Sequence, residues 1–161
     1  MKIETTRFGS LTVEPDARVY FPEGLLGFSA YREYVMVPGA PPGEGEPSLV
    51  AWLQSCQVPE LAFAVCPADA LVRDYCGSVL ADRARPADLA TIDLDGLDED
   101  AEVYLIVHRH RKGLMANLRG PVVVNAAARL AKQLVLNDER VPLRYQVPAP
   151  AARREVVRQA S

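Results

Sequence analysis

The chain has 161 residues, 49% of them apolar and 24% charged, with a net charge of −3. That is the composition of one ordinary globular domain, long enough to bury a core without disulfides or metals. The acidic balance argues against a surface given over to nucleic acid, and no apolar run approaches the ~20 residues that span a bilayer.

Met1-Lys2-Ile3-Glu4-Thr5 lacks the apolar stretch of a secretory signal. Cys56, Cys66 and Cys76 are odd in number and form no CxxC pair, so they read as reduced thiols of a cytoplasmic protein.

In chain order, Leu11-Thr12-Val13 and Val19-Tyr20-Phe21 carry the β-branched and aromatic residues that suit a pleated sheet. Gly9-Ser10 and Pro15-Asp16 supply turns between them. The first forty residues thus read as a meander with a Gly/Pro-rich corner at 22–27 and a further strand over 31–37. Residues 38–47, dense in proline and glycine, read as a mobile hairpin loop. Leu49–Leu53 and Leu61–Val65 are short apolar runs between prolines and read as a buried hairpin.

From Asp82 to Glu102 eight carboxylates stand against Arg83 and Arg85, and Pro86 can open a short helix. Residues 101–111 are the clearest strand, with Val103, Leu105 and Val107 on one face and Tyr104, Ile106, His108 and His110 on the other. Gly120-Pro121 marks a turn or strand start, and Val122-Val123-Val124 continues it as a strand that closes on Asn125. Ala127, Leu130, Ala131, Leu134 and Val135 are spaced as on a helix face. Beyond Tyr145 the chain reads as a loose tail.

Catalytic chemistry finds few candidates. His108 and His110 share a strand face, but a zinc site needs three or four ligands in closed geometry. Asp93, Asp95, Gly96 and Glu102 echo a calcium loop, yet Thr91 stands at its first position and a strand follows it. None of the cysteines adjoins an activating base, and buried inert thiols are the simpler reading. Adjacent solvated acids make no acid/base pair, and no glycine-rich phosphate loop is present. Arg109, Arg111, Lys112 and Arg119 lack the interleaved aromatics of a nucleic-acid surface. Trp52, the only tryptophan, suits a core or an interface anchor.

Four stretches in register resemble the FliW family of flagellar assembly factors: Phe21-Pro22-Glu23-Gly24-Leu25-Leu26-Gly27-Phe28, Trp52-Leu53-Gln54-Ser55, Met115 to Asn125, and Gln133-Leu134-Val135-Leu136. Phe8-Gly9 and Ala62-Phe63 add to the likeness. Leu26 departs from a frequent proline, Arg119-Gly120 from a more apolar pair, Ala131 from a glycine and Val141 from a tyrosine.

The resemblance implies a mostly β fold: one small β-barrel-like domain of short antiparallel strands with one or two short helices over residues 1–146, then a flexible tail over 147–161. It favours a strand ending in 133–136 over the helix that local spacing suggests, since helix propensity yields readily to sheet context. It further implies a non-enzymatic cytoplasmic protein without cofactor, metal, membrane or direct nucleic-acid partner.

The implied partners are flagellin, through its C-terminal helical region, and the translational regulator CsrA, whose repression of flagellin mRNA is relieved. The implied contact residues are Phe21, Glu23, Gly24, Gln54, Met115, Asn117, Arg119, Pro121 and Asn125, with the acidic 93–102 loop steering CsrA. The rival is a split-barrel domain binding flavin or another small ligand, for which Thr5, Thr6 and Arg7 are the faint phosphate candidates. Oligomeric state stays open.

Overall fold

The computed structural model describes residues 1–39, 49–111 and 113–148. Most of the 38–47 loop, Lys112 and residues 149–161 of the tail lie outside the described residues. The strands are β1 (Lys2–Thr5), β2 (Gly9–Thr12), β3 (Arg18–Tyr20), β4 (Glu33–Pro38), β5 (Ala51–Ser55), β6 (Ala62–Pro67), β7 (Ala101–His110), β8 (Gly113–Ala116), β9 (Val122–Asn125), β10 (Leu130–Gln133) and β11 (Tyr145–Gln146). Two short helices, α1 (Ala68–Leu71) and α2 (Pro86–Ala90), and a wide helical turn over Cys76–Leu80 lie between β6 and β7. Pro86 opens α2 as its position in the sequence predicts.

Seven strands close into a ring. The order runs β7-β6-β5-β4-β3-β10-β9, and β9 returns to β7 through pairs from Ala101–Asn125 to Tyr104–Val122. The pairings are antiparallel except at the β10–β3 seam, which is a single parallel bridge between Leu130 and Tyr20. Strand β7 is long enough to serve twice along one edge. Its first half holds β9, and Val107–His110 hold β8, which in turn pairs with β11. The mostly β, barrel-like expectation therefore holds.

Alternation along the strands sends side chains into two cores. Tyr104 and Ile106 of β7 join Val19, Phe21, Tyr34, Leu53, Val65, Val122 and Val124 in one cluster. Leu105 and Val107 face the helical segment, among Leu71, Tyr75, Leu80 and Leu118. Both faces of β7 are thus occupied, in the arrangement its sequence pattern predicts.

The opening residues depart from a continuous meander. Strands β1 and β2 pair only with each other, as a separate two-stranded sheet. A turn at Pro15–Ala17 redirects the chain into β3, and Ile3 and Val13 pack on Val35, on the opposite face of β4 from Tyr34.

Over 126–136 the strand prevails over the helix. Arg129 sits at φ 58°, in the left-handed region, and its N–H bonds to the Asn125 carbonyl at 2.8 Å. That tight reversal breaks any helix and sets β10 against β9 in the register Leu130–Asn125. Beyond β10 the N–H groups of Leu134 and Leu136 reach the carbonyls of Pro121 and Arg119, each at 2.8 Å. Leu134 and Leu136 are consequently buried while Val135, between them, is turned outward. Val147 is also buried, with its N–H on the Leu114 carbonyl. No helix of the described residues is long and apolar enough to cross a membrane.

Candidate functional site

The 117–121 arc is fixed from three sides. From β7, the Ile106 carbonyl accepts the Asn117 N–H at 3.1 Å. From the helical segment, the Tyr75 hydroxyl donates to the Leu118 carbonyl at 2.6 Å. From β10, Gln133 Nε2 donates to the Gly120 carbonyl at 3.1 Å. The Asn117 side chain then accepts the Arg119 N–H at 2.9 Å, the local turn that asparagine favours.

Facing this arc is a lip formed by residues 137–143. Arg119 extends to it, with Nε 2.6 Å from the Val141 carbonyl oxygen and a terminal nitrogen 3.3 Å from that of Glu139. Asp138 ties the lip to the helical segment. Its carboxylate takes Nε of Arg83 at 2.9 Å and ion-pairs with Arg83 and Arg140 at 2.8 and 3.0 Å. The Arg140 guanidinium first, then the Arg140 N–H and Arg83, hold the Asp138 carboxyl well below the usual carboxylate range.

The 21–28 corner supplies the third wall. Gly24 lies at φ 69°, and a Cβ there would stand 2.6 Å from Ser29 Cα and 2.8 Å from the Phe28 carbonyl oxygen. Only glycine fits such a turn without strain. The turn buries Leu25 and exposes Leu26, whose N–H bonds to Gln133 Oε1 at 3.0 Å.

Between these walls lies an open groove of about 430 Å³, with buried Leu136 at its base, Leu26, Val135 and Leu143 as its exposed apolar lining and Asn117, Arg119 and Glu139 among its polar residues. Those three apolar side chains are each more than half exposed: 58, 52 and 53%. The three exposed apolar side chains thus share one concavity with a polar rim, which makes it the candidate site.

The residues expected at the contact surface divide accordingly. Asn117 and Arg119 line the groove. Glu23, exposed on the corner, ion-pairs with Lys132. Met115 is half-buried on β8 opposite His108. Phe21 is fully buried, edge-on to Tyr34 at 5.2 Å, and Pro121 is buried beneath the arc.

Gln54 is fully buried and its amide nitrogen lies 3.1–3.4 Å from the carbonyls of Ser55, Val58, Pro59 and Leu61. Asn125 is buried and clamps the acidic loop, its Nδ2 reaching the carbonyls of Ile92 at 2.9 Å and Asp93 at 3.3 Å. The sequence stretches thus mix groove residues with residues that build the fold.

Other candidates have local roles. Thr5 Oγ1 donates to the Gly9 carbonyl and accepts the Phe8 N–H, both at 2.8 Å. Arg7 stacks 4.0 Å over the Trp52 ring. Burial, with Asp69 and Asp74 adding to it, pushes the Cys76 thiol up to about 12, and burial raises Cys56. Among the described residues no group of three or more His, Cys, Asp or Glu side chains is placed to hold a metal ion.

The family model described as FliW protein matches residues 2–147. The chain belongs to the FliW family. It is 32% identical over 148 residues to the flagellar assembly factor FliW of Bdellovibrio bacteriovorus, covering 91% of this chain and 79% of that one. It is 36% identical to that of Magnetococcus marinus, covering 86% and 80%. A crystal structure of the flagellar assembly factor FliW superposes with a TM-score of 0.75 over 92% of this chain and 98% of that one, at 23% identity. That likeness concerns the fold.

On this FliW scaffold, sequence reasoning had no route to Leu143, Asn137 and Glu139, because nothing local sets a lip residue apart from any other loop residue. Leu26 was visible only as a departure from the FliW pattern. Val135 sat in an apolar run that reads equally well as core.

Proposed function

We propose that this FliW-family protein is a cytoplasmic, non-catalytic binding switch. It holds the C-terminal helical region of flagellin or, in its place, CsrA, and so relieves CsrA repression of flagellin mRNA. Family membership supports the flagellar role. The observation that carries the binding mode is the groove, where Leu26, Val135 and Leu143 are exposed beside Asn117. An amphipathic helix lays its apolar face into such a concavity. The exposed acids of the 93–102 loop, Asp93, Asp95, Asp98, Glu99, Asp100 and Glu102, would speed encounter with a basic partner.

Calorimetric titration with flagellin and, separately, with CsrA from the same cell tests this reading. Each partner binds, and saturation with flagellin blocks CsrA. Simultaneous binding of both would remove the switch, and silence toward both would remove the function.

A further inference from the structure

The groove contains three ionisable side chains, Arg119, Asp138 and Glu139, and their commitments differ. Arg119 points its guanidinium at the backbone carbonyls of Glu139 and Val141. The Asp138 carboxylate is taken up by Arg83 and Arg140. The exposed Glu139 carboxylate has no hydrogen bond or ion pair among the described residues. Arg144, close by in sequence, does not line the groove. The cation of the groove is therefore turned inward to hold the lip, and the charge it offers to a partner is negative.

Resting on the functional reading above, we infer that the groove selects a helical segment bearing a lysine or arginine beside its apolar stripe, with Glu139 as the acceptor for that basic residue. Leu26, Val135 and Leu143 take the apolar side chains, and Glu139 at the rim fixes which end of the helix lies against the lip. Charges at the rim of an interface chiefly set orientation and encounter rate. An acidic segment of the same shape is disfavoured, because its carboxylate meets Glu139 while the Arg119 guanidinium is held by the lip carbonyls.

The test is calorimetric titration of the full chain with purified flagellin at several salt concentrations, using wild type, Glu139→Gln, Glu139→Lys and Val135→Asp. Because Glu139 is exposed and bonded through no side-chain atom, its variants keep the wild-type melting profile. Glu139→Gln weakens binding about two- to five-fold, the range of an exposed ion pair, and flattens the salt dependence. Glu139→Lys weakens it further, most at low salt, where screening is least. Val135→Asp abolishes binding.

A Glu139→Lys protein that binds flagellin as tightly as wild type, or more tightly, overturns the inference while leaving the functional reading intact. Unchanged binding by Val135→Asp overturns it by placing the partner elsewhere. Failure of the wild type itself to bind flagellin defeats the underlying reading instead.

Discussion

Arg119 Nε lies 2.6 Å from the carbonyl oxygen of Val141, joining two segments more than twenty residues apart across the groove. Val141 is itself buried in the core beside the helical segment. The lip is thus pinned from above by a guanidinium and from below by an apolar anchor. Replacing Arg119 by alanine leaves the carbonyls of Glu139 and Val141 without this donor. We predict a loss of about 1–2 kcal/mol, the scale of charge-assisted hydrogen bonds at a partly exposed site. Amide hydrogen exchange over 139–143 rises with it. Arg119→Lys does not restore protection, since an ammonium cannot reproduce the fork; exchange rates equal to wild type in either variant would contradict the pinning role.

Gly24→Ala should be among the more damaging small substitutions. The left-handed φ of 69° and a Cβ placed 2.6 Å from Ser29 Cα act together. The opposing atoms are backbone and cannot swing aside. Left-handed strain and overpacking sum to about 2–4 kcal/mol. A urea midpoint unchanged from wild type would show that the corner has another conformation available.

Asp138 should contribute to the acid limb of the stability curve. Its folded-state carboxyl lies well below the ordinary value of 3.8, first because Arg140 bonds it. A group whose pKa falls on folding stabilises the fold fully above its unfolded value and loses that contribution as pH drops toward its folded one. The loss should begin near pH 4 and deepen below it. Asp138→Asn flattens this limb in pH-dependent denaturation, whereas an acid limb identical to wild type would assign it to other carboxylates.

Tyr34 governs part of the alkaline limb. Its hydroxyl is buried among Phe21 and Phe63 with no hydrogen-bond partner among the described residues. Burial pushes its phenol from 10.0 up to about 12. A pKa raised on folding gives a contribution that is complete below the unfolded value and fades as pH climbs toward the folded one. Stability should therefore decline between about pH 10 and 12. Tyr34→Phe reduces that decline and, at neutral pH, raises stability by up to about 1 kcal/mol by removing an unsatisfied buried hydroxyl. A destabilised Tyr34→Phe protein would mean that the hydroxyl has a partner, such as a bound water.

Much of this protein was determined by its sequence alone. The alternation of Val103, Leu105 and Val107 with Tyr104 and Ile106 assigned β7 its two faces, because side chains on a strand have a period of two. Pro86 announced α2, and the glycines and prolines of 22–27 announced the corner, because both residue types act through their own backbone angles. Motifs in register sufficed for the family.

Only the tertiary structure decided how the ring closes, through β7 on β9 and the parallel bridge of Leu130 to Tyr20. Pairing between distant strands is a contest among all edges of the chain, which no local window records. The helical spacing around Leu130 gave way to the strand that the family resemblance favoured, and that strand, with Leu134 and Leu136 inward, leaves Val135 outward. The groove is the extreme case. Leu26, Asn117, Arg119, Val135 and Leu143 come from three separated stretches of chain. Whether an apolar side chain is core or contact surface depends on what covers it, and that is fixed only once the whole chain has folded.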